Sequence, residues 1–149
     1  GLNVDSESAA SEAAHALRLV NNSSYKPNLK KSIFIDIEDD SMKNFGKTRL
    51  TAIADKFCST VQNSGYGCGM YASTSWYRNN LDTVNLARKY GVWVAEWTRS
   101  SSKATHSQAM SLKPSYNITS YNYWQFSSSG SIRGINGNVD LDMGYNIFD

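Results

Sequence analysis

The hydrophobic period of this chain switches between helical and extended several times, and that alternation constrains the fold more than any other feature. Residues 6–20 (SESAASEAAHALRLV) place Ala9, Ala10, Ala13, Leu17 and Val20 at three- and four-residue spacing, which predicts a helix with Asp5 as its N-cap. A loop containing Pro27 follows, and residues 33–38 then read as a strand. Over residues 47–63, Leu50, Ile53, Ala54, Phe57, Cys58 and Val61 form one helical stripe, with Gly65 placed as a left-handed cap. GCGMYAS (67–73) predicts a short buried strand. WYRNNLDTVNLARKY predicts helix broken near Asn79 and Asn80, and VWVAEW (92–97) a third strand. Residues 98–115 read as a long polar loop. YNYWQFSS (121–128) reads as a strand, followed by a glycine-punctuated hairpin and a return strand. Helices alternating with strands imply a mostly parallel sheet wrapped by helices, an α/β chain forming one domain over residues 1–149.

Bulk properties exclude some functions. A net charge of +2, scattered along the chain, argues against a nucleic-acid partner, and no apolar run reaches the ~18 residues of a membrane span. Nine Tyr, four Trp and five Phe exceed what the other features require, and surface aromatics serve flat ligands such as sugars. With only His15 and His106, and with Cys58 and Cys68 matching no zinc spacing, no metal or other cofactor is expected. The two cysteines fit either a disulfide or a pair of buried, inert thiols.

The stretch IFIDIEDD drives an apolar strand into a run of acids. Alternation turns Ile33, Ile35 and Ile37 to one face, and Phe34, Asp36 and Glu38 to the other. Two carboxylates spaced this way lie roughly 6–7 Å apart at Cα, close enough to perturb one another's protonation. The carboxyl ends of parallel strands are where sheets of this kind put their active sites, and a protonated acid beside an ionised one suits glycoside hydrolysis. The plain alternative is a solvated strand end. Asp39, Asp40 and Ser41 fit that role as caps of the next helix. Carboxylates alone could also hold calcium, although no EF-hand spacing is present.

The stretches IFIDIED, SGYGCGMYASTSWY, YGVWVAEW and YWQFSSSGSIRGINGNVDLD, in that order, resemble glycoside hydrolase family 25, the lysozyme-type muramidases of bacteria and phages. The resemblance implies an irregular (β/α) barrel, mostly parallel with a final antiparallel hairpin. It also implies cleavage of the β-1,4 bond between N-acetylmuramic acid and N-acetylglucosamine in peptidoglycan, outside the cell or at its wall. Glu38 matches the family's general acid, Asp36 an assisting aspartate and Asp140 a third acid at the cleft floor. Tyr71, Trp124 and Gln125 match the sugar-contacting wall, although aromatics on barrel strands usually pack, which makes Tyr71 and Trp124 partly core residues.

Glu96, polar within an apolar strand, either faces the cleft or pairs with a neighbour. Trp76, Trp93 and Trp97 read as structural, Asp142 as solvated or in a turn, and Gly134 and Gly137 as turn residues. The family's first three strands, one carrying a further aspartate, have no counterpart here, so the barrel is expected to be incomplete. An exposed edge on the IFIDIED strand then predicts a homodimer and weakened activity. Two other functions fit less well. A family 18-like chitinase would carry earlier acids where this chain has Ser32 and Phe34. A non-catalytic wall-binding remnant would need no complete acid set.

Overall fold

The computed structural model describes residues 2–22, 32–97 and 105–145, with side chains in the first helix described from Glu7 onward. Helix α1 (Leu2–Asn22) precedes strand β1 (Ile33–Asp36), a 3-10 helix (Asp40–Phe45) and helix α2 (Lys47–Asn63). Strand β2 (Cys68–Ser73), the short helices α3 (Thr74–Asn79) and α4 (Thr83–Ala87), and strand β3 (Gly91–Ala95) come next. Helix α5 (His106–Ser111) and strands β4 (Tyr123–Gly130) and β5 (Val139–Gly144) complete the order. The sheet runs β1-β2-β3-β4-β5, in chain order. Its first four strands are parallel and β5 is antiparallel to β4. The fold is thus α/β, an open, curled half-barrel. Among the described residues no helix is long and apolar enough to cross a membrane.

The helical stripes form as their spacing dictates. In α2, Leu50, Ala54, Phe57, Cys58 and Val61 are buried, and in α1, Ala9, Ala13 and Leu17. The main chain leaves α2 through Gly65 at φ +87°, a conformation that disfavours any residue with a Cβ. Cys58 on α2 and Cys68 at the start of β2 are joined by a disulfide, which ties the helix to the sheet it covers. Asp39 caps the 3-10 helix through the Ser41 N–H at 2.8 Å, while Asp40 pairs with Lys43.

Three expectations change. Helix α1 begins at Leu2, so Asp5 lies inside it and is not its N-cap. Strand β1 ends at Asp36, two residues early, because the Glu38 N–H turns back to Asp36 Oδ1 at 3.2 Å. The polar stretch after β3 contains α5, nucleated by a reciprocal cap between Thr105 and Gln108. Residues 98–104 and the loop around Pro27 lie outside the described residues.

Register sorts the side chains into two faces. Asp36, Tyr71, Trp93 and Tyr123 are cross-strand neighbours on the inner face. Met70, Val92, Val94 and Trp124 occupy the outer, helix-covered face and are buried. On the inner face, Phe34 packs edge-on against Trp93 and Tyr123, with ring centroids 5.4 and 5.5 Å apart, and Tyr71 packs against Trp93 at 5.0 Å. Gly69 makes room for this cluster, since a Cβ there would collide with the Phe34 ring and the Gly91 carbonyl.

Candidate active site

The carboxyl ends of β1, β2 and β3 open into a cleft of about 420 Å³ lined by Glu38, Ser73, Arg78, Glu96, Trp97 and Ser115 among others. Glu38 leaves β1 and reaches across the end of β2, where its Oε2 accepts the Ser73 backbone N–H at 2.6 Å. That contact fixes one carboxyl oxygen. Among the described residues no protein donor holds the other.

Tyr71 is half-buried at the centre of the inner face, within reach of the charges of several acids. Its phenol is pushed up to about 12, first by burial and then by the charges of Glu38, Asp36, Asp140 and Asp142. Its hydroxyl donates to Gln125 Oε1 at 2.8 Å. The same oxygen accepts the Trp97 indole N–H at 3.0 Å. On β5, Asp142 Oδ1 accepts the Trp93 indole N–H at 2.8 Å. Desolvation raises the Asp142 carboxyl above its ordinary value although the residue is open to solvent overall. The Trp93 hydrogen bond opposes this shift, and the Asp140 charge adds to it.

Glu96 does both things its position allowed. It lines the cleft, and its carboxylate accepts Thr74 Oγ1 at 2.6 Å, the Ser115 N–H at 2.8 Å and Ser115 Oγ at 3.0 Å. Desolvation raises its pKa, but the donors from Thr74 and Ser115, with the Arg78 charge, outweigh that and hold the group below the usual carboxylate range.

Not every expected residue meets the others. Trp124 lies on the opposite face and is fully buried, its indole N–H donating to the Glu96 carbonyl at 3.2 Å, so it is core and not wall. The reason is alternation, because Gln125 beside it turns to the inner face. Asp36 and Glu38 do not share one concavity either. Asp36 lines a separate, mostly apolar groove between α1 and β1, together with Ala9, Phe34, Met42 and Phe45.

Asp142 sits in β5 and not in a turn. Trp97, read from sequence as structural, is 53% exposed at the cleft rim. Trp76 is buried as expected, and Gly134 and Gly137 have the positive φ of turn residues. Among the described residues no group of three His, Cys, Asp or Glu side chains is arranged as a metal site.

The acid-lined mouth sits where parallel sheets of this kind place their active sites, and comparison with known proteins gives the family. Residues 2–135 match the model of the glycosyl hydrolases family 25, and the chain belongs to that family. It is 32% identical over 87 residues to the autolytic lysozyme of Clostridium acetobutylicum, an alignment covering 58% of this chain and 22% of that protein. Its fold is similar to the Clostridium perfringens spore cortex lytic enzyme SleM, with a TM-score of 0.69 and 18% identity over 95% of this chain and 46% of the other. It is also similar to the modular Cpl-1 endolysin, solved in complex with a peptidoglycan analogue. That match has a TM-score of 0.66 and 17% identity over 95% of this chain and 36% of the other. The chain spans less than half the length of each of these relatives.

Proposed function

We propose that the chain is a peptidoglycan hydrolase, an N-acetylmuramidase that cleaves the β-1,4 bond between N-acetylmuramic acid and N-acetylglucosamine outside the cell. The observation that carries this is Glu38, held by the Ser73 N–H at the mouth of a parallel sheet, with the charges of Asp36, Asp140 and Asp142 acting on the nearby Tyr71. In this reading Glu38 gives its proton to the glycosidic oxygen as the C–O bond breaks. The substrate's acetamido oxygen bonds to the anomeric carbon, steadied by Asp36. Water then opens that intermediate and returns a proton to Glu38. Asp140 contributes negative charge at the cleft floor. Tyr71, Gln125 and Glu96 orient the sugar or the groups that touch it.

Mass spectrometry of digested peptidoglycan tests the bond. New reducing ends on N-acetylmuramic acid support the assignment, and reducing ends on N-acetylglucosamine refute it. Turnover by this 149-residue chain alone is proposed to be lower than that of longer family members, because its open sheet supplies only one wall of a groove. Among the described residues no strand pairs with the outer edge of β1, and this edge, with the apolar groove of about 480 Å³ between it and α1, supports pairing of two copies there. Light scattering that returns a monomer mass at every concentration would count against the dimer. The opening of Asp36 onto a different groove from Glu38 favours one other reading, a wall-binding module without turnover. Retention on peptidoglycan with no released fragments would select it.

A further inference from the structure

Gln125 is almost fully buried at 4% exposure, and its Oε1 receives two hydrogen bonds, from Tyr71 Oη and from Trp97 Nε1. The two donors are not equivalent. A phenol hydroxyl can donate or accept, so it tolerates either end of an amide. An indole N–H can only donate, so it demands the oxygen end. Turning the amide over would set the Gln125 NH2 against the Trp97 N–H, two donors facing one another.

We propose that Trp97 is a positioning residue. By locking the Gln125 amide, it commits the one proton of the Tyr71 hydroxyl to Gln125 and keeps that proton away from the cleft carboxylates. Tyr71 then offers only lone pairs to the cleft. It can accept from a substrate N–H or O–H, or from a protonated acid, and it cannot hold the acids ionised by donating to them. Its role in catalysis rests on the glycosidase reading above, but the proton's ownership does not.

The competing pull is strong. Tyr71 faces Asp36 and Glu38 from β1 and the segment beyond it, and Asp140 and Asp142 from β5, with Glu96 and Arg78 further along the cleft rim. A hydrogen bond from a phenol to a carboxylate is charge-assisted and stronger than one to a neutral amide. Without the indole, the stable arrangement reverses. The Gln125 NH2 donates to the Tyr71 oxygen, and the phenol proton turns to a carboxylate.

Trp97→Phe tests this directly, since it removes the indole N–H and keeps a smaller aromatic ring at an exposed position. Carboxyl 13C NMR titrations are recorded for the wild type, Trp97→Phe, Tyr71→Phe and the double variant, with tyrosine labelled at Cζ. In Trp97→Phe the Tyr71 Cζ resonance should move at neutral pH. The titration midpoint of at least one cleft carboxyl should fall by about half a pH unit, as a new donor to its ionised form requires. In the Tyr71→Phe background the same Trp97 substitution should leave the midpoints in place. Unchanged midpoints in Trp97→Phe, or an equal fall with and without the Tyr71 hydroxyl, would overturn the proposal. Failure of the protein to cleave peptidoglycan would strike the functional reading and leave this cycle intact.

Discussion

On the helix-covered face of the sheet, Met70, Val94 and Trp124 are fully buried, and the one indole among them spends its N–H on a backbone carbonyl. One residue along the same strands, Tyr71 and Trp93 are only half-buried, and their polar atoms engage Gln125 and Asp142. Both faces are aromatic, and they differ in what the rings are for. The outer face gains its energy from area removed from water, roughly 1.5–3 kcal/mol for each large side chain sealed against α2 and its neighbours. The inner face leaves its rings partly open and uses their N–H and O–H groups to place acids and amides. Stability and chemistry are therefore carried by opposite parities of the same strands.

Substitutions on the two faces should separate these roles. Trp124→Ala should have the largest effect, costing about 3–5 kcal/mol in urea unfolding through the cavity it leaves. A loss below about 1 kcal/mol would mean that the outer face is not the stabilising one.

Glu96→Ala should cost less, about 1–3 kcal/mol at neutral pH, because Thr74 and Ser115 lose their acceptor. The folded-state pKa of Glu96 is depressed, so its contribution is present above the unfolded value and is lost as pH falls through the folded one. The gap between wild type and variant should therefore narrow below about pH 4. A gap independent of pH would remove the hydrogen-bonded carboxylate from the account.

Asp142→Asn should have the smallest effect and the opposite sign. The raised folded pKa of Asp142 means its stabilising contribution is full at acid pH and is lost as pH rises through that value. Asparagine keeps an acceptor for Trp93 and removes the repulsion with Asp140. Neutral-pH stability should rise by a few tenths of a kcal/mol once solvent screening is allowed for, with no gain in acid. Thermal unfolding at both pH values measures it.

The outer face was legible in the sequence because burial writes a period. The stripe from Leu50 to Val61 and the alternation of Ile33, Ile35 and Ile37 identify helix and strand without reference to any partner. That acids gather at the carboxyl end of β1 was legible too, but not that Asp36 and Glu38 would line different grooves once the strand ends at Asp36. Trp124 and Gln125 were both expected at the sugar wall, yet adjacent strand residues cannot share a face, and the parity of β4 emerges only when it pairs with β3 and β5. Trp97 gave no signal, since its role depends on Gln125, 28 positions away. Helix α5 was hidden by its polar composition, although Thr105 and Gln108, three residues apart, carried the capping signature.

The most direct test of the inner face as a catalytic surface is Glu38→Gln, assayed by release of reducing ends from peptidoglycan alongside thermal unfolding. The amide retains an acceptor for the Ser73 N–H but cannot supply the proton, so activity should fall by about 100-fold or more while the melting temperature stays within a few degrees. A stably folded Glu38→Gln protein that releases reducing ends as fast as the wild type would contradict the account.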